Sequence, residues 1–323
     1  MNGSSGMARN GDREDSRLDE AARAGWLYYV AGNTQEEIAH KLGISRQSAQ
    51  RLVSLAISRK LIKVRLDHPI ASCMALAEAL TRRYDLKYCD VVPSDPASTS
   101  TVLGVAEAAA AYLERILGSP TPLILALGTG RTIRASVDQL PQMDCRQHKI
   151  VSLVGNIAPD GSASFFDVIT KISDTVKAPH FPMPVPVVAS SVEEKAVLLR
   201  LKPVKHVCDL AKRADVTMVG IGSLDDNAPL FEDGFITRGE LRALRKAGAI
   251  GEIVGWAYDT DGQIVAGHTN QRVVSVPIGK VGQATVIGAA MGPAKMAAIR
   301  AALVGQLING LITDETTARA LTG

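Results

Sequence analysis

Long apolar runs are missing from this 323-residue sequence: Arg, Asp or Lys breaks every Ala/Leu/Val-rich stretch before it reaches the roughly 20 residues that a membrane span needs. No membrane association is therefore expected. The Gly/Ser/Asn-rich start, residues 1–11, has no apolar core of a secretory signal, so residues 1–17 read as a flexible leader. Cysteine is scarce and scattered. Cys73, Cys89, Cys145 and Cys208 form no CxxC or Cys/His grouping, which predicts reduced thiols in a cytoplasmic protein. His148, His180, His206 and His268 lack metal-ligand spacing, so no metal is expected. Nucleotide motifs are absent too: residues 128–133 read GxGxxI without the third glycine of a dinucleotide fingerprint, and no GxxxxGK[ST] or GxSxG run occurs.

What is present is an ordinary globular composition, 46% hydrophobic and 21% charged, in a chain long enough for two domains. The net charge of +3 is unevenly placed. Residues 1–66 hold 11 Lys/Arg against 7 Asp/Glu, and residues 41–66 hold 7 basic residues and no acidic one. Such a bias suits a polyanionic partner, although a solvated basic face has the same composition.

Spacing supplies the second criterion. Thr34 and Glu37 fit a capping box, Ile38, Ala39 and Leu42 share a helical face, Gly43 can end the helix, and Ser45 caps the next one. In that second helix Ala49, Leu52, Val53 and Ala56 point inward, leaving Arg46, Gln47, Gln50, Arg51 and Ser54 outward. This is the layout of a helix-turn-helix over residues 18–67, supported by a first helix over residues 18–30. Arg46, Gln47 and Gln50 are assigned to base edges of double-stranded DNA, Arg51 to a base or the backbone, and Ser45 to a phosphate. Residues 62–66 alternate, so Lys63 and Arg65 are expected on the basic face of a wing strand. His68-Pro69 marks the domain boundary.

Beyond it, over residues 68–323, short apolar runs alternate with helical stretches. Strands are predicted at residues 88–92, 123–127, 150–154, 185–188, 216–220, 250–256, 272–277 and 285–289. Helices are predicted at 71–84, 101–117, 131–139, 166–176, 192–201, 204–214, 238–247 and 294–304. The alternation implies an α/β domain, a mostly parallel sheet covered on both faces. Several strands run into small or polar residues: Gly128, Thr129, Gly130, Arg131 and Thr132; Gly155 and Asn156; Gly222 and Ser223; and the stretch ending in Lys295. Glycines at the carboxyl edge of a parallel sheet let backbone N–H groups approach an oxyanion. Each loop alone is equally a tight turn, Asp259 is equally a cap of its Asp-Thr-Asp-Gly hairpin, and Lys295 equally a solvated helix residue.

The stretches NTQEEIAHKLGISRQSAQRLVSLA, LALGTGRTI, IVSLVGNIAPDG, ADVTMVGIGSL, GAIGEIVGWAYDTDG, RVVSVPIG and KMAAIRAALVGQLINGLITDETTARAL resemble, in order and spacing, the SorC/DeoR-type sugar-binding transcriptional regulators over about residues 18–322. The resemblance implies a Rossmann-like, doubly wound domain similar to sugar-phosphate isomerases, without a cofactor. It implies a sugar, polyol or sugar-phosphate effector held by Gly128, Thr129, Gly130, Arg131, Thr132, Gly155, Asn156, Gly222, Ser223, Asp259 and Lys295. It also implies a homotetramer, built as a dimer of dimers, that binds operator DNA. The sequence departs from many relatives at Pro293-Ala294, where acidic residues are common. An isomerase carrying a DNA-binding appendage is the alternative, although no acid and base pair with fixed spacing is evident.

Overall fold

The structure, a computed structural model, describes residues 5–59, 61–62, 70–94, 101–157 and 168–323, the side chains at 5–15, 101 and 156 apart. It divides into two compact units, Met1–His68 and Pro69–Gly323. The expected wing strand, with Lys63 and Arg65, lies outside the described residues.

The first unit holds α1 (Ser5–Tyr29), α2 (Gln35–Leu42) and α3 (Arg46–Ser58). Helix α1 begins at Ser5 instead of residue 18, so most of the expected leader is helical; residues 7–24 are dense in Ala, Arg, Asp and Glu, with no proline to stop a helix. Helix α2 opens with the capping box, Thr34 N–H donating to Glu37 at 2.7 Å and Glu37 N–H to Thr34 Oγ1 at 3.3 Å. It closes on Gly43 at φ 65°, and Ile44 N–H returns to Ala39 O at 3.0 Å. Ala24, Ile38, Ala39, Ala49 and Val53 form the core. A β-carbon on Gly25 would stand 2.2 Å from Ile62 Cδ1 and 2.8 Å from Ala56 Cβ, so glycine there permits a close crossing.

The second unit is wound from α4 (Ala71–Tyr84), β1 (Tyr88–Val92), α5 (Thr101–Leu117), β2 (Ile124–Leu127), α6 (Arg131–Asp138), β3 (Lys149–Ile157), α7 (Ile169–Val176) and β4 (His180–Pro186). There follow α8 (Val192–Arg200), α9 (Lys202–Ala211), β5 (Val216–Val219), β6 (Gly222–Ser223), α10 (Pro229–Glu232), α11 (Arg238–Lys246), β7 (Gly251–Ile253) and β8 (Trp256–Tyr258). The chain ends with β9 (Thr285–Ala289), α12 (Met296–Val304), β10 (Gly310–Asp314) and α13 (Glu315–Thr322). Among the described residues, seven parallel strands form one sheet in the order β1-β10-β9-β5-β2-β3-β4. Alternation along β2 sends Leu125 and Leu127 into the layer with α5, α6 and α7, and Ala126 into the layer with α4, α9, α12 and α13. The architecture is Rossmann-like.

Three expected strands come out differently. Residues 250–256 are not one strand: the chain reverses at Val254-Gly255, with φ of 47° and 88°, to pair β7 with β8 antiparallel. Residues 272–277 form no strand: they contribute an isolated bridge, Val188 to Val273, and single backbone bonds, Val274 N–H to Val187 O at 3.0 Å and Val276 N–H to Leu153 O at 2.8 Å. Strand β4 starts at His180, earlier than the expected 185, and tolerates Pro182, Pro184 and Pro186 because it is an edge strand bonded on one side only.

Candidate functional site

The order of strands locates the site. The chain proceeds outward from β2 to β3 and β4, then returns to place β5 on the other side of β2. The loops leaving β2 and β5 therefore diverge, opening a crevice at the carboxyl edge of the sheet, where open α/β sheets bind ligands. A cleft of about 720 Å³, its open mouth included, occupies this place.

Its floor is the β2 loop. Gly128 packs under Val254, a β-carbon there falling 3.1 Å from Val254 Cγ1, while Thr129, Gly130, Arg131 and Thr132 line the cleft. Gly130, at φ 120°, is the N-cap of α6 and offers no capping side chain, and the first turn of α6 carries no acid. A first turn that carries no acid and starts from a glycine suits the approach of a ligand oxygen. Gly220 and Gly222 form the β5 side. The far wall is a satellite subdomain around Leu224, Leu241 and Leu244, which contributes Leu230, Asp233 and Phe235.

Two ionisable groups face each other electrostatically in the cleft. The Glu252 carboxyl is pushed upward by burial, opposed by the Gly255 N–H that donates to Oε2 at 2.8 Å and by the Lys295 charge. The Lys295 ammonium is pushed downward by burial, with Glu252 partly restoring it. Among the described residues Lys295 Nζ has no hydrogen-bond acceptor or ion pair, so a ligand oxygen is its natural complement. Its backbone is fixed by a 3₁₀ turn starting at Pro293, and Gly292 N–H donates to Thr317 Oγ1 at 2.9 Å. Arg131 is engaged by Asp233 at 3.0 Å and Glu232 at 3.7 Å across the mouth.

Not every expected site residue meets here. Ser223 lies beyond the lining and its Oγ donates to Asp225 at 3.1 Å. Gly155 stands behind Val154, against β4. Asn156 continues β3, and its side chain is outside the described residues. The Asp259 carboxylate accepts from Asp261 N–H at 3.0 Å and Gln263 N–H at 2.9 Å, capping its own turn away from the lining.

In the first unit, Arg46, Gln47, Gln50, Arg51 and Ser54 are all exposed on α3. Ser45 caps α3, accepting from Ser48 N–H at 3.1 Å.

Residues 68–322 match the family described as "Putative sugar-binding domain". The chain belongs to the sugar-binding SorC/DeoR-type transcriptional regulators. It is 33% identical over 312 residues to the erythritol catabolism regulatory protein EryD of Brucella abortus (strain 2308), covering 97% of this chain and 98% of EryD. It is 32% identical over 308 residues to the transcriptional regulator LsrR of Klebsiella pneumoniae subsp. pneumoniae, covering 93% and 91%. The crystal structure of the full-length sorbitol operon regulator SorC from Klebsiella pneumoniae superposes with a TM-score of 0.70 at 25% identity, covering 95% of this chain and 99% of SorC.

In this SorC-type chain, sequence reasoning missed Glu252, Asp233 and the apolar wall of Val187, Leu230 and Phe235. Glu252 had a signal: it is the one charge in the run of residues 250–258. Asp233 and the wall had none, since folding alone brings the satellite subdomain over the sheet edge.

Proposed function

We propose that this regulator controls a sugar or polyol catabolic operon, its N-terminal unit reading operator DNA as a helix-turn-helix and its cleft holding a sugar, polyol or sugar-phosphate effector. The observation that carries the effector half is the cleft at the strand-order reversal, which joins an uncapped helix N-terminus to the unpartnered Lys295. A phosphate or other oxyanion anchors at the N–H groups of α6 with Lys295 as counter-charge, and Thr129 and Thr132 contact hydroxyls. Glu252 accepts or donates a hydrogen bond to a hydroxyl further in. The Arg131–Asp233 pair spans the mouth. The names EryD and SorC, of an erythritol and a sorbitol regulator, favour a polyol or its phosphate.

The DNA half rests on the acid-free outer face of α3. Arg46 suits guanine, and Gln47 and Gln50 suit adenine, in the major groove. One such helix contacts too few base pairs for an operator, so the working form is a homo-oligomer, a tetramer as the resemblance implies, in the cytoplasm. Effector binding controls DNA binding by favouring one arrangement of the heads over another, a coupling of roughly 1–3 kcal/mol.

A thermal-shift screen of sugars, polyols and their phosphates, followed by operator titration with each hit, tests this reading. A ligand that raises the melting temperature and changes operator affinity supports it; one that stabilises without changing operator affinity counts against it. The isomerase reading would place acid–base chemistry on Glu252 and Lys295. Steady interconversion of pentose or hexose phosphates by the purified chain would establish that reading instead.

A further inference from the structure

Helix α8 is unlike the other helices around the sheet: none of its residues is buried. Its inner side is nevertheless fastened. Ser191 caps it by accepting from Glu194 N–H at 3.1 Å, the Lys195 ammonium lies 4.9 Å from the Trp256 ring centroid, and Leu198 and Leu199 pack against the core. The helix is therefore held in place while its outer side faces solvent.

That outer side has a particular order. Glu193, Ala196, Val197 and Arg200 recur at i, i+3, i+4 and i+7, one stripe of a helix, and all four are exposed. Val192 and Leu201 flank the stripe at 47% and 46% exposure, and Val197 at its centre is 60% exposed. The stripe is acidic at one end, small and apolar in the middle, and basic at the other end. Arg200 has no ion-pair or hydrogen-bond partner among the described residues.

We propose that this face is a two-fold contact with a second copy of the same chain. A two-fold axis midway between Ala196 and Val197 runs the two helices antiparallel. It brings Glu193 level with the partner's Arg200, Val192 level with the partner's Leu201, and Ala196 level with the partner's Val197. The small Ala196 at the crossing lets the axes approach to about 8–10 Å. Glu193 and Arg200 are about 10.5 Å apart along the axis, too far to pair within one helix; the Glu193 carboxylate is held locally by Ser191, and across the two-fold axis it stands opposite the partner's Arg200. An isologous contact requires a self-complementary patch, which this stripe supplies and an unrelated partner would not need. A nine-residue helix covers less than the roughly 1,000 Å² of a stable interface, so the contact strengthens an assembly that other surfaces share. The inference goes beyond the regulator reading, because no residue of α8 lines the cleft.

Charge exchange tests it on the full-length chain, with self-association followed by sedimentation velocity across concentration. Arg200→Glu alone sets carboxylate against carboxylate across the contact, and Glu193→Arg alone sets guanidinium against guanidinium. Each is expected to weaken self-association by about 10-fold or more. The double variant Glu193→Arg with Arg200→Glu is expected to return within about 3-fold of the parent. Single variants with parental self-association, or a double variant as weak as the singles, overturn the proposal. Val197→Cys treated with a short bis-maleimide provides a second readout on a folded chain. A covalent dimer beyond that of the parent is expected, and its absence contradicts the contact.

Discussion

Gly155→Ala separates the effector contact that the resemblance implies for this glycine from the strand packing that the structure gives it. A β-carbon at residue 155 would lie 2.1 Å from Val185 O and 2.7 Å from Pro186 O. Restoring an ordinary carbon–oxygen contact of about 3.3 Å moves the β4 backbone by roughly 1.2 Å. The β3–β4 register already shifts on both sides of Gly155, which pairs with Met183, so little slack remains. Overpacking plus one weakened ladder bond costs about 2–4 kcal/mol, equivalent to a drop of roughly 5–15 °C in melting temperature for a domain this size. The measurement is denaturant unfolding in a Trp26→Phe background, where fluorescence reports Trp256, whose Nε1 donates to Val276 O at 3.1 Å inside the second unit. A parental midpoint accompanied by lost effector response would refute the packing assignment and return Gly155 to the ligand.

Arg46→Ala and Gln47→Ala should flatten base preference in a binding-site selection while effector-induced stabilisation is unchanged; an unaltered selected motif would remove them from the base contacts. Lys295→Met should reduce effector affinity about 10-fold or more, read by calorimetry with the ligand found by thermal shift, and leave effector-free operator binding intact. Asp259→Ala, which removes the acceptor of two turn N–H groups, should lower stability by about 1–2 kcal/mol without changing effector affinity. Burial pushes all four thiols upward, Cys89 to about 12. Native protein at pH 8 should therefore alkylate slowly at every cysteine, and unfolded protein fast at all four.

Elements whose determinants are local were legible in the sequence. The Thr34–Glu37 box, the Gly43 stop, α4, β1, α5 and β9 need only their own residues to be found. Strand β10 was not, because residues 310–314 are buried throughout as an interior strand and show no alternation. The β7–β8 reversal was hidden because Val254 occupies a positive-φ position that sequence rules reserve for glycine, asparagine or aspartate. That valine packs over Gly128 in the cleft, and the turn it forms aims the Gly255 N–H at Glu252. The same turn thus concealed a strand boundary, while Glu252, the one charge in residues 250–258, was visible as a residue but not as a neighbour of the β2 loop. The β2 loop was legible for the opposite reason: its glycines and threonines lie at a strand–helix junction that periodicity alone reveals.

The paired shifts of Glu252 and Lys295 make a test of which force governs the cleft. Burial raises the Glu252 carboxyl despite the opposing Gly255 N–H and Lys295 charge. A carboxyl raised in the folded state holds its proton there when the unfolded chain, near 4.3, has already released it. Its contribution to stability is therefore fully present below about pH 4.3 and is lost as pH rises through the folded value. Glu252→Gln keeps an oxygen for the Gly255 N–H and cannot ionise. The melting temperature of the variant relative to the parent should therefore climb from about pH 4.5 upward and level off once the folded carboxyl has ionised. Thermal melts of both proteins across that range decide the matter. A parent that instead gains on the variant with rising pH would mean that attraction to Lys295 outweighs burial, and the cleft would then be a closed ion pair and not a site suited to a ligand's charge and hydroxyls.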